Sequence, residues 1–220
     1  MVPFDQFDAI RIINLRHRTD RRAEVLRELR RVGLENDPRV EFFEACTFPE
    51  AAPFSSKGAR GVYHSQLAIL EKAAADGHSV LILEDDIDFV EGAENYKLPD
   101  EWSIFYGGYS AVDSGDLLAS DIVGAHMMGF SAAIVSELAA FLSAISFEDH
   151  HPPIDGAYVW FRRANPQVKT VFAEPPLGYQ RSSRSDVADL RFFDRLPGFR
   201  QSASVARKLK RSIRNRSHRA

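Results

Sequence analysis

Apolar positions in this chain fall into short runs that alternate with stretches of helical spacing. Residues 9–15 (AIRIINL) are short and rich in β-branched side chains, which predicts a first strand. Thr19 stands where an N-cap opens a helix over residues 21–32, and Gly33 closes it. Residues 40–45 (VEFFEA) predict a second strand. A loop follows, marked by Pro49, Pro53 and the turn from Gly58 to Gly61, which reads as leading into a helix over residues 62–75. After Asp76-Gly77, residues 79–83 (SVLIL) form an unbroken apolar run, the pattern of a strand covered on both faces. Further strands are predicted over 103–106, ending at Gly107-Gly108, and over 122–130 and 168–173. Helices are predicted over 131–145 and 154–163. No internal repeat is visible. Strands alternating with helices predict an α/β domain with a mainly parallel sheet whose strand ends share one rim.

The composition agrees with one sizeable core: 45% of the residues are hydrophobic, with 16 Phe. Lys and Arg number 28 against 31 Asp and Glu. That balance excludes a wholly basic nucleic-acid binder. The charge is uneven, because residues 203–220 hold seven of the basic side chains (Arg207, Lys208, Lys210, Arg211, Arg214, Arg216, Arg219) and no acid. Taking those seven from 28 leaves 21 bases against 31 acids in residues 1–202, the predicted domain, which is acidic where the tail is basic. With Val205, Leu209 and Ile213 at helical spacing, the tail fits peripheral contact with an anionic membrane surface, and it equally fits a solvated terminus. Cys46 is the lone cysteine, so no internal disulfide forms and a reducing cytoplasm is the expected compartment. Asp5, Asp8 and Arg11 interrupt the first segment, so no secretory signal is expected. The apolar stretch 130–145 is shorter than the roughly 20 residues that span a bilayer.

The sharpest chemical feature is Glu84-Asp85-Asp86-Ile87-Asp88, four acids directly after a buried strand. In an extended chain Glu84, Asp86 and Asp88 share one side and Asp85 faces the other. Converging carboxylate oxygens suit a hard divalent cation, which often completes its shell with substrate phosphates. Taken alone, the cluster also fits a solvated acidic loop. Asn14 and the run Arg16 to Arg22 place guanidinium forks and helix-start amides at the end of the first strand, fit for a nucleotide or for plain solvation. His150-His151 before two prolines reads as an exposed loop. Asp155, at the start of a helix, is a first-turn carboxylate or a general base. There is no G-x-S-x-G, no H-E-x-x-H and no P-loop, so hydrolase, zinc and kinase readings find no motif.

Taken in order, the motifs resemble glycosyltransferase family 25, the lipopolysaccharide-biosynthesis type that includes collagen galactosyltransferases. They are Ile13-Asn14-Leu15 with Arg18 and Asp20-Arg21-Arg22; Gly61-x-x-x-Ser65; Leu81 to Asp86; Trp102 to Gly108; Gly124-Ala125-His126 through Ser131; Pro153-Ile154-Asp155; and Gln180 with Ser185-Asp186. The match covers about residues 9–187. Two positions depart from the family pattern, Val62 after Gly61 and Gln66 after Ser65.

The resemblance implies a GT-A-like, Rossmann-like domain that transfers a hexose from a nucleotide sugar to a glycan or lipid-linked glycan, with inversion at the anomeric carbon. UDP-galactose is the donor and lipopolysaccharide the acceptor it suggests. It implies Mn2+ or Mg2+ held by Glu84 and Asp86, with Asn14, Arg18, Arg21, Asp85, His126, Gln180 and Asp186 at the donor and Asp155 as the base. The rival expectation is a non-catalytic nucleotide-sugar or glycan-binding protein of the same fold.

Overall fold

The computed structural model describes residues 4–146 and 150–181. The strands are β1 (Ala9–Asn14), β2 (Val40–Glu44), β3 (Val80–Glu84), β4 (Ile87–Phe89), β5 (Ile104–Ala111), β6 (Ile122–Phe130), β7 (Thr170–Phe172) and β8 (Gly178–Gln180). The helices are α1 (Thr19–Arg31), α2 (Lys57–Asp76), α3 (Val135–Ala144) and α4 (Ile154–Ala164). Six strands form one sheet in the order β2-β1-β3-β6-β5-β7, and β4 pairs with β8 in a small antiparallel ribbon.

The α/β fold with a mainly parallel sheet is therefore observed, and β6 is its exception. It runs antiparallel to both β3 and β5. The cause is local: residues 112–121 hold turn formers and no helix, and a parallel return needs a crossover. The carboxyl ends of β1, β3 and β5 and the first residues of β6 consequently lie along one rim.

Alternation along the strands divides the core. Ile82, Tyr106, Met128 and Phe130 pack with Leu70, Leu138 and Tyr158 on the α2–α3–α4 side. Ile10, Ile12, Leu81, Leu83, Phe105 and Met127 pack with Val25 and Leu29 of α1 on the other. Each such side chain, fully buried, contributes about 1.5–3 kcal/mol. The same alternation decides which way the strand-end residues point: Glu84 continues the face of Val80 and Ile82, while Asn14 continues that of Ile10 and Ile12.

Several boundaries differ from the sequence expectation. Thr19 is the first residue of α1 and not its cap; Arg18 holds the cap position, and no side chain caps the helix. Helix α2 starts five residues earlier than its periodicity suggests, capped by Ser56, whose hydroxyl accepts from the Ala59 amide at 3.0 Å. Gly58 and Gly61 hid this start because glycine is a poor helix former. Gly61 is needed for close packing, since a Cβ there would lie 2.5 Å from the Cys46 carbonyl oxygen. Ser65 completes that contact by accepting from the Cys46 amide at 2.8 Å and donating to the Gly61 carbonyl at 2.7 Å. Strand β5 runs through Gly107-Gly108 instead of ending there, with register shifts on both sides of Gly108. His151 is buried against Phe54, ring centroids 4.1 Å apart, and only His150 is exposed as expected.

One hydrogen-bonded carboxylate near the amino end is pH-linked. The Asp8 carboxylate accepts from the Ser79 amide at 2.8 Å and the Ser79 hydroxyl at 2.7 Å, which lowers its pKa below the ordinary aspartate value, with His78 and Arg39 adding to the effect. A depressed carboxylate contributes stability above its unfolded pKa and loses it as pH falls through the folded one. Asp8→Asn should therefore be less stable than wild type at pH 7, with the gap closing below about pH 4. Denaturant melts at pH 7 and pH 3 check this, and a gap that is equal at both contradicts it.

No helix among the described residues is long and apolar enough to cross a membrane. The predicted boundary at residue 202 and the basic tail lie outside the described residues, as do Ser185 and Asp186.

Candidate active site

The rim at the end of β3 is built around a turn. After Leu83 the chain keeps Glu84 in the strand, turns through Asp85 and Asp86, and re-enters extended structure at Ile87. The alternation that a fully extended chain would give, with Glu84, Asp86 and Asp88 on one side, is therefore broken at Asp85 and Asp86. The turn brings Asp85 and Asp86 to one arginine of α1. Arg21 Nη1 donates to Asp85 Oδ1 at 2.9 Å and to Asp86 Oδ2 at 3.2 Å. Asn14 Nδ2 donates to the second Asp85 oxygen at 2.7 Å. Asp88 leaves the group. On β4 it is clamped by Arg181, which also bonds Glu24 at 2.8 Å.

Gln180, on β8, joins the two predicted metal ligands. Its Nε2 donates to Glu84 Oε2 at 3.2 Å and to Asp86 Oδ2 at 3.4 Å. The Arg181 amide adds a bond to the Asp86 carbonyl at 2.6 Å. Charge around Glu84 is unbalanced. Burial, then Asp86, Asp85 and Asp155, push its carboxyl up to about 8, and Arg21 opposes them only in part. Such a site favours taking up positive charge.

Asp155 stands in the first turn of α4, within electrostatic reach of Glu84. One of its oxygens accepts from the Gly124 amide and the other from its neighbour Gly156, each at 2.8 Å. Gly124 has φ +88°, a conformation that suits glycine. Burial raises the Asp155 pKa against these hydrogen bonds. Two residues that sequence reasoning did not assign lie beneath. Tyr158 donates to Gln66 Oε1 at 2.6 Å, and Gln66 Nε2 donates to the Ala125 carbonyl at 3.4 Å. Both are fully buried, and the Tyr158 hydroxyl lies within electrostatic reach of Glu84. The i, i+3 spacing of Asp155 and Tyr158 was the available signal. Gln66, a departure from the family pattern, is thus a satisfied buried group.

The remaining predicted residues are dispersed. Arg18 forms a bidentate pair with Asp20 at 2.9 and 2.8 Å, its carbonyl accepts from Asn14, and its guanidinium feels the Asp85 charge without a hydrogen bond to it. His126 is buried, with Nε2 3.1 Å from the Gly178 carbonyl.

No group of three or more His, Cys, Asp or Glu side chains among the described residues is arranged to hold a metal. Glu84 and Asp86 supply two hard oxygen donors bridged by one amide, and this donor set suits Mg2+ or Mn2+, which bind through one or two carboxylates plus substrate phosphates.

No protein-family model matches the chain. No curated protein matches it either. It is similar to a glycosyltransferase involved in the glycosylation of the major capsid of PBCV-1, at 10% identity and TM-score 0.48, covering 82% of this chain and 98% of that one. It is also similar to CTP:phosphocholine cytidylyltransferase (LicC) from Streptococcus pneumoniae, at 12% identity and TM-score 0.44, covering 83% and 96%. At these identities and scores neither says what this chain binds.

Proposed function

We propose that this chain is a GT-A-like glycosyltransferase that moves a hexose, galactose from UDP-galactose, to a hydroxyl of lipopolysaccharide or another surface glycan, with inversion. The observation that carries this reading is the convergence on one rim of a Glu84–Asp86 turn, an Asn14–Arg21 brace on its α1 side and a half-buried Asp155 on its α4 side. The ordered motifs of the family resemblance support it independently.

Glu84 and Asp86 would hold the divalent cation, which when bound neutralises charge on the departing nucleoside diphosphate. Arg21 fixes the turn that presents them, and Asn14 pins Asp85 in the same brace. With Arg18 at the start of α1, these residues line the nucleotide side, while Gln180 covers the carboxylates from β8. Asp155 receives the acceptor proton as the hydroxyl oxygen bonds to the anomeric carbon. The bond from that carbon to the diphosphate oxygen breaks, and its electron pair leaves with the diphosphate. A carboxylate whose pKa is raised by burial is a better proton acceptor than a solvated one.

Asp155→Asn tests the assignment. It should bind UDP-galactose with Mn2+ as tightly as wild type, within about twofold, yet lose transfer by at least about 10²-fold, the lower range of general-base effects. Titration calorimetry and a transfer assay on purified lipopolysaccharide measure the two quantities. Lost donor binding with unchanged transfer per bound donor would remove Asp155 as the base. Wild-type donor binding without transfer or hydrolysis would favour a non-catalytic binding protein.

A further inference from the structure

Strand β8 has three residues and, among the described residues, only β4 as a ladder partner, so few backbone bonds set where it lies. Gly178 faces Phe89 in that ladder and Gln180 faces Ile87. A third strand supplies the additional hold. His126 of β6, 5% exposed, places Nε2 3.1 Å from the Gly178 carbonyl oxygen. A carbonyl only accepts, so Nε2 carries the hydrogen and the ring is the neutral Nε2–H tautomer, with Nδ1 buried and without a hydrogen-bond partner.

The approach depends on bare backbone. A Cβ at Gly108 would lie 2.5 Å from His126 Cδ2 and 3.1 Å from the Gly178 oxygen, and one at Gly124 would lie 3.1 Å from Nδ1. The chain that leads into β8 also lies across this irregular part of β5, with the Leu177 amide donating to the Gly107 carbonyl at 2.7 Å. Two residues beyond the histidine's grip, Gln180 reaches Glu84 and Asp86, and the Arg181 amide reaches the Asp86 carbonyl.

We propose that His126 is a positioning residue: its Nε2–H on the Gly178 carbonyl sets the place of β8 and thereby holds the Gln180 amide on Glu84 and Asp86. The ring does not touch the donor. The functional part of this inference rests on the acidic turn being the donor site, and it replaces the direct donor contact implied by the family resemblance.

Two substitutions separate the roles. His126→Gln keeps an N–H close to the Nε2 position and removes the Nδ1 side of the ring, whereas His126→Phe keeps the ring volume and removes the N–H. In His126→Phe, hydrogen exchange of amides in residues 86–90 and 177–181 should rise about tenfold, the effect of losing one buried hydrogen bond. Exchange in 9–14 and 80–84 should stay as in wild type. Affinity for UDP-galactose with Mn2+ should fall about tenfold in the same variant, while His126→Gln should stay within about twofold of wild type in both measurements. Wild-type exchange around β8 in His126→Phe overturns the tether. Equal loss of affinity in both variants, with exchange around β8 kept in His126→Gln, also overturns the proposal and assigns the ring to the ligand. If wild type binds no UDP-galactose, the functional reading fails, and the exchange comparison still decides the tether. Should His126→Phe not fold, Gly108→Ala crowds the same ring and should raise exchange over the same residues; wild-type exchange there counts against the tether.

Discussion

Replacing Asp86 with asparagine is expected to abolish Mn2+-dependent binding of UDP-galactose and to lower transfer by at least about 10³-fold, with little change in unfolding temperature. Asp86 supplies one of the two carboxylates that Gln180 bridges, and an amide oxygen there keeps the shape but loses the charge that would hold the proposed divalent cation. The fold tolerates the change because Arg21 keeps its shorter bond to Asp85, and Asn14 continues to hold that residue's other oxygen. The substitution also removes one of the carboxylates crowding Glu84. Calorimetry with Mn2+ and UDP-galactose, run beside a thermal melt, measures both halves of the claim. Wild-type turnover in this variant would falsify the metal role, and a collapse in unfolding temperature would show that Asp86 serves the fold instead.

The second large effect is on stability. Arg162→Met should destabilise the protein by about 3–5 kcal/mol, the order expected when three carbonyls each lose a charged donor at about 1–3 kcal/mol apiece. Arg162 is only 4% exposed. Its guanidinium donates to the carbonyls of Leu117 at 2.8 Å, Leu118 at 2.6 Å and Ser120 at 2.9 Å, and lies 5.4 Å from the centre of the Phe172 ring. Methionine fills much of the stem volume but leaves three carbonyls without their donor. For a domain of this size the loss corresponds to roughly 6–20 °C in unfolding temperature. Arg162→Lys should recover only part of it, because one ammonium does not reproduce a planar fork that reaches three carbonyls. A thermal melt with either variant at the wild-type midpoint would contradict this account.

The β5–β6 loop held by Arg162 also shows where sequence reading stops. Residues 112–121 carry turn formers and no helical run, a local signal for the antiparallel course of β6 that the expectation of a mainly parallel sheet passed over. The arginine that braces this loop lies more than forty residues away. Its position on α4 reads as a last-turn basic residue favoured by the helix dipole, and nothing local marks it as buried. Gln66 misled in the opposite sense. Compared with a family pattern it looked like a weakened site, yet its amide is satisfied by Tyr158 and the Ala125 carbonyl.

What the sequence by itself determined is the set of local features: the short β-branched and apolar runs that became β1, β3 and β6, the α/β alternation, and the acidic quartet at the end of a buried strand. These follow from side-chain period and composition within a few residues, which the chain carries however it folds. Tertiary structure alone decided which acids act together. Asn14 and Arg21 meet Asp85 from 71 and 64 positions away, Gln180 meets Glu84 from 96, and Asp88 is drawn off by Arg181. Such pairings depend on the packing of helices and strands remote in the chain, and on glycines whose missing Cβ lets backbones approach. No local period records either.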